Sequence, residues 1–102
     1  MSYKIQIYSE ALNDIQEATN WYNLQQNGLG ARFQKQVKRQ INLLKTNANN
    51  YGVRYNDIRC VLIRKFPFLI HFAINEMNKT IEVYSIIHTS RNPKIWQNER
   101  SK

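Results

Sequence analysis

Cysteine, proline and glycine are scarce in this 102-residue chain, which has one, two and three of them. The lone Cys60 cannot close an internal disulfide, which argues against a cystine-stapled secreted scaffold and fits a reducing compartment. It alternates with apolar neighbours and reads as a buried, inert thiol rather than a nucleophile. The opening residues "MSYKIQIYSE" lack the apolar core of a signal peptide. The longest apolar run, "FPFLIHFAI" at 66–74, is too short to cross a bilayer. A cytoplasmic protein with no membrane partner is expected.

Acids are few as well, seven against fifteen bases, for a net charge of +8. The two histidines fall on different expected strands, and after residue 31 the carboxylates Asp57, Glu76, Glu82 and Glu99 are scattered. A two-metal nuclease would need several acids converging on one spot, so no metal is expected. No cofactor is expected either: "GLG" at 28–30 follows a helix pattern rather than a strand, which suits a turn and not a phosphate loop. Ser90 shows no sign of a triad.

What is abundant is positive charge, and it is unevenly placed. Residues 1–31 hold one base and three acids, net −2, whereas residues 32–102 hold fourteen bases and four acids, net +10. With a pI near 9.9, such a chain attracts a polyanion, either nucleic acid or an acidic protein. At 42% hydrophobic residues it can build one modest core, so residues 1–102 read as a single domain.

"YKIQIY" (3–8) alternates, with Ile5 and Ile7 on one face, and predicts a half-buried strand. Ser9 is a candidate N-cap, with Glu10 and Asp14 complementing the positive end of the helix that follows. Ala11, Ile15, Ala18, Tyr22 and Gln25 recur at spacings of three and four, predicting an amphipathic helix over 10–26. Asn27, Gly28 and Gly30 supply a turn, and a second helix follows over 31–46 with Phe33, Val37, Ile41 and Leu44 inward. Its other faces carry Arg32, Lys35, Lys38, Arg39 and Lys45. "TNANNYG" (46–52) breaks the pattern. Strands are then expected at 58–65, 68–74 and 80–87, with Pro67 between the first two and a hairpin turn at 75–78. A short helix and a frayed tail are expected over 93–102. The order β-α-α-β-β-β is an α+β fold: a small, mostly antiparallel sheet with a helical hairpin packed on one face.

Cation and aromatic chemistry remains. Arg54, Arg59, Arg64, Lys65, Arg91 and Lys94 lie in or beside the expected sheet, interleaved with Tyr51, Tyr55, Tyr84 and Trp96. Such a surface can hold phosphates on its cations and stack bases on its rings, or grip an acidic protein. A metal-free ribonuclease could be built from the same parts, with His88 as acid or base near neutral pH and cations stabilising the crowded phosphate. The stretch "IIHTSRNPKIW" (86–96) gathers His88, Arg91, Lys94 and Trp96 around one strand exit.

Three segments in sequence, "ALNDIQEATNWYNLQQNGLGARF" (11–33), "KFPFLIHF" (65–72) and "HTSRNPKIW" (88–96), resemble the RelE/ParE toxins of bacterial type II toxin–antitoxin systems. The resemblance covers nearly the whole chain. It implies the same sheet and helical hairpin, and a cognate antitoxin protein that wraps and neutralises the toxin. The target it implies is DNA gyrase for ParE-like members and messenger RNA on the ribosome for RelE-like ones. The nuclease branch typically carries an arginine after the third-strand aromatic, where this chain has Leu69. It also tends to end in a catalytic tyrosine or a His-Tyr pair, where this chain has Trp96, whose indole donates a hydrogen bond but exchanges no proton near neutral pH. "HTSRNP" and the helical hairpin are closer to the ParE side. On that reading Arg59, Arg64, Lys65, Tyr84, Arg91, Lys94 and Trp96 bind the target. His88 and Arg91 are catalytic only if the chain is a nuclease.

Overall fold

The computed structural model describes residues 2–90. Strand β1 (Lys4–Ile7) leads into helices α1 (Ser9–Gln25) and α2 (Leu29–Asn47) and one 3-10 turn (Ala48–Asn50). Strands β2 (Val53–Tyr55), β3 (Ile58–Leu62), β4 (Phe68–Asn75) and β5 (Thr80–His88) follow. The sheet order is β1-β5-β4-β3-β2, with β1 parallel to β5 and the other pairings antiparallel. The fold is the expected α+β arrangement with one strand more. That strand, β2, has three residues, two of them exposed, and is too short to show a period. The segment expected to break the pattern at 46–52 instead finishes α2 and makes the 3-10 turn, which buries Ala48.

The helices form a hairpin because two glycines do different jobs. Gly28 takes a left-handed φ of 87° at the junction, a conformation that costs a side-chain-bearing residue. Gly30 lies where α2 meets α1: a Cβ built there would sit 2.5 Å from the Thr19 carbonyl oxygen and 2.7 Å from Asn23 Cγ. The backbone N–H of Gly30 donates to Asn23 Oδ1 at 2.8 Å, so a side chain of α1 satisfies an amide that α2's first turn leaves open.

Phe33, Val37, Ile41 and Leu44 are buried from α2, as their spacing predicts. From α1, Ala11, Ala18 and Tyr22 are buried, Ile15 is half-buried and Gln25 is exposed, so the inward stripe ends a turn earlier than expected. Thr19 completes the stripe, its hydroxyl returned to the Ile15 carbonyl at 2.6 Å. Ser9 is not the N-cap. Tyr8 holds that place without a side-chain bond, because its N–H donates to the Val83 carbonyl and so keeps it in the sheet until the helix begins. Asp14 does not serve the helix end either: its Oδ2 accepts from the Ile86 N–H at 2.9 Å. β1 stops opposite Val83, and the Asp14 carboxylate takes over where that strand leaves an edge amide of β5 open.

The β4–β5 register slips between His71 and Phe72, placing Tyr84 as the extra residue of a bulge. On either side of the bulge, Ile81, Val83 and Ile86 point into the main core under the helices. The opposite sheet face carries a second cluster of Tyr55, Ile58, Cys60, Ala73 and Ile87, flanked by Leu69 and Tyr84. That face is buried among apolar groups, which simple alternation does not predict.

Gly30→Ala should destabilise the fold by roughly 1–3 kcal/mol through overpacking against α1. Gly28→Ala, with open space around it, should cost about 1 kcal/mol in backbone strain alone. Urea unfolding checks the order, and a Gly28 variant costing more than the Gly30 variant would overturn the close-packing account. Asp14→Ala should cost about 1–3 kcal/mol by orphaning the Ile86 amide, with Asp14→Asn retaining most of the stability.

Candidate functional site

The β3–β4 turn organises the surface where cations gather. β3 ends at Leu62, after which the Ile63 N–H donates to the Phe68 carbonyl at 2.9 Å and the Phe66 N–H to that of Ile63 at 3.2 Å. Arg64 and Lys65 are therefore the exposed apex of a turn, with Lys65 at φ 73°, and not the end of a strand reaching residue 65. The Pro67 carbonyl accepts from the Thr89 N–H at 2.8 Å, which ties the turn to the exit of β5. Beneath it the Tyr22 ring lies 5.0 Å from Phe66 and 5.3 Å from Phe33, and Phe33 lies 5.2 Å from both Phe66 and Phe68. Burial raises the Tyr22 hydroxyl above its ordinary pKa.

Two depressions flank Pro67. The larger, about 540 Å³, lies between α2 and the turn and is walled by Tyr22, Leu29, Phe66 and Pro67. Arg32, Lys35 and Arg39 face it from one stripe of α2, and Lys65 faces it from the turn. Among the described residues, no carboxylate lines it and none of these four cations joins an ion pair. Like charges three and four residues apart on a helix cost a few tenths of a kcal/mol per pair. The stripe is thus a small burden on the free protein that an anionic partner would relieve.

The smaller depression, about 290 Å³, is lined by Ala18, Trp21, Tyr22, Pro67, Phe68 and His88. His88 ends β5 on the helix side of the sheet, its ring edge-to-face with Phe68 at 5.2 Å. Its Nδ1 accepts from the Ser90 N–H at 3.1 Å and lies 2.8 Å from the Ser90 hydroxyl, so the neutral ring carries its proton on Nε2. Among the described residues, the adjoining surface, bounded by Trp21, Phe68 and His88, brings in Asp14 and Glu17 and no cation. Trp21 is 55% exposed there.

The other expected site residues separate. Arg59 is half-buried and donates through its guanidinium to the Tyr51 carbonyl, a tie within the fold. Tyr84, at the bulge, packs its ring 4.8 Å from that of Tyr8 and donates to Glu82 Oε1 at 2.8 Å. Arg91, Lys94 and Trp96, and with them the short helix and tail expected over 93–102, lie outside the described residues. His71 is fully buried on the face of the sheet opposite His88, its Nδ1 3.0 Å from the Tyr55 hydroxyl and 3.5 Å from Cys60 Sγ. Among the described residues no three potential ligands gather to hold a metal ion.

Of the described residues expected to bind a target, only Lys65 lines the larger cleft. Arg32, Lys35 and Arg39 join it there, although the sequence offered them only as residues on the other faces of a helix. Their spacing of three and four was a legible stripe; what they face was not. Cys60 agrees with its reading: burial pushes the thiol up to about 11, against an opposing pull from Arg54.

Thiol-reactive dye at pH 8 should therefore label Cys60 at least ~10²-fold more slowly in the native protein than in urea. Equal rates would place the thiol at the surface. As pH rises from the ordinary thiol range through about 11, ionisation of Cys60 should erode stability, because the folded state disfavours the thiolate. A Cys60→Ala variant should lose less stability over that window.

The family described as the ParE toxin of type II toxin-antitoxin system, parDE, matches residues 5–93. No curated protein matches the sequence. A chain from the chromosomal ParDE TA system of P. aeruginosa is similar in structure, with TM-score 0.76 and 16% identity, over 87% of this chain and 98% of that one. A free arginine-to-alanine double mutant of E. coli toxin RelE aligns with TM-score 0.72 and 12% identity, over 99% and 98% of the two chains. A chain of the Mycobacterium tuberculosis toxin-antitoxin complex RelBE2 aligns with TM-score 0.64 and 13% identity, over 86% and 99%. At these identities the structures speak for the fold, a RelE/ParE-like sheet and hairpin, while the family match speaks for descent. Extending across both helices and all five strands, it shows that the chain belongs to the ParE toxin family of type II toxin–antitoxin systems.

Proposed function

We propose that this chain arrests growth by binding a DNA gyrase or related topoisomerase, that it does so in the cytoplasm, and that a cognate antitoxin neutralises it. The observation that carries the choice of binding over cleavage is the separation of the imidazole from the cations. A metal-free ribonuclease needs an acid–base pair and positive charge at one phosphate. Among the described residues, His88 is bordered by aromatic rings and by the acids Asp14 and Glu17, whereas Arg32, Lys35, Arg39 and Lys65 lie beyond Pro67. Its Nδ1 is already committed to Ser90. Leu69, which stands where the nuclease branch carries an arginine, pairs across β4 with Leu62 and Ile87 in an apolar row.

On this reading Arg64 and Lys65 at the turn, together with Arg91, Lys94 and Trp96, meet the target. Arg59 and Tyr84 hold the sheet that presents them. The ParE and RelE relatives named above include toxin–antitoxin complexes, and an antitoxin encoded beside this chain is the partner it would be expected to share with them.

Two assays divide the readings. Purified protein should inhibit gyrase supercoiling and leave messenger RNA 5′ ends unchanged in a translating extract. His88→Ala should stay toxic, whereas Arg91→Ala should lose toxicity. Cuts within ribosome-occupied codons that fall by ~10²-fold in His88→Ala would instead make the chain a nuclease using His88 and Arg91.

A further inference from the structure

We propose that the cleft between α2 and the β3–β4 turn is a binding site for a short polyphosphate chain, such as the triphosphate of a nucleotide. The site is independent of the gyrase reading and of any protein partner. Arg32, Lys35 and Arg39 face the cleft from one stripe of α2, and Lys65 faces it from the turn. Gln36 lies within the same stripe, and its Oε1 is buried without a hydrogen bond among the described residues. A recess of about 540 Å³ is the size that takes a small molecule.

Charge density selects the occupant. Arg39 follows Arg32 by about 10 Å of helix rise, and with Lys65 opposite, four positive charges share roughly that length. In an extended peptide, acids on one face recur no closer than about 7 Å, so about two of them fit along the stripe. An acidic helix could space its charges as tightly, but with its side chains it is about 10–12 Å across, too thick for the recess. A nucleic acid strand carries one charge per nucleotide, with a sugar between successive charges. Linked phosphates have no such spacer, and three of them, with a terminal group near −2, carry roughly four negative charges. Of these occupants the polyphosphate alone meets the cations at their own density, through charge-assisted hydrogen bonds that two arginines can make in pairs.

The other walls suit a sugar carried on the chain. Leu29 and Pro67 are apolar, and Gln36 Oε1 can accept from a hydroxyl. Among the described residues no carboxylate lines the cleft to hold Mg²⁺, so the protein's cations take the place of the metal on the phosphates.

Calorimetric titration of the full chain with ATP, inorganic tripolyphosphate and AMP, in buffer free of Mg²⁺, tests the site. One ATP or one tripolyphosphate should bind per chain, at least ~10-fold more tightly than AMP, and excess Mg²⁺ should weaken both. Arg32→Gln/Arg39→Gln should weaken both at least ~10-fold. Lys38→Gln/Lys45→Gln removes the same charge from exposed positions of α2 outside the cleft, and should bind as wild type does. Should the arginine pair not fold, Lys35→Gln should show a smaller loss in the same direction. Gln36→Met separates the two sources of the chain. Weakened binding of ATP alone assigns the nucleotide, whereas ATP and tripolyphosphate binding alike and unchanged in this variant assign the inorganic chain.

Equal losses in the two double variants would reflect net charge alone and overturn the inference. So would AMP binding as tightly as ATP. A short single-stranded oligonucleotide that binds the wild type more tightly than either polyphosphate, and is lost with the arginine pair, would give the cleft to nucleic acid and overturn it as well. Growth arrest and gyrase inhibition are not read in these titrations, so their outcome leaves the toxin reading untouched.

Discussion

Four aromatic rings hold this molecule in its working shape. Tyr22 from α1, Phe33 from α2, and Phe66 and Phe68 from the β3–β4 turn and β4 pack with centroids 5.0–6.2 Å apart, and Phe33 is fully buried. Each such pair contributes about 0.5–1.5 kcal/mol beyond the area it buries. The hairpin is thereby seated on the sheet and the turn pinned to the hairpin. The two depressions are consequences of that seating: one opens where α2 leaves the turn, the other where α1 passes the end of β5. His88 extends the cluster through Phe68, so its imidazole is positioned by the same packing that builds the core.

The electrostatic pattern follows from which elements meet there. α1 carries the acids Glu10, Asp14 and Glu17, and α2 carries Arg32, Lys35, Lys38, Arg39 and Lys45. An antiparallel hairpin presents these two stripes on different flanks. The α1 flank borders β5 and His88, whereas the α2 flank borders the turn and Lys65. Among the described residues, a chain with a strong positive excess thus gains an acid-edged corner and a cleft lined by cations, separated by one proline.

Much of this was legible in the residues. The spacing of Phe33, Val37, Ile41 and Leu44 gave α2 and its inward face, and the β-branched and aromatic runs gave the three long strands, because period and propensity are local properties. β2 was missed because three residues hold no period. Ser9 and Asp14 were misread because their local chemistry suits a helix start, while the sheet imposed other uses on that region. Tyr8 stays bonded to β5, and Asp14 satisfies an amide 72 residues away. His71 and His88 were correctly set on separate strands. That they face opposite sides of the sheet depended on register, and for the strand carrying His88 on a bulge that no residue announces.

The sequence by itself determined the two helices and the longer strands, the mostly antiparallel sheet with its hairpin, the buried thiol and the positive excess, since each is set by neighbours a few residues apart or by composition. Only the tertiary structure decided that Lys65 joins Arg32, Lys35 and Arg39 while His88 keeps company with Asp14, Glu17 and Trp21. Those groupings bring together residues far apart in the chain, and they exist only once the ring cluster has fixed how the hairpin lies across the sheet.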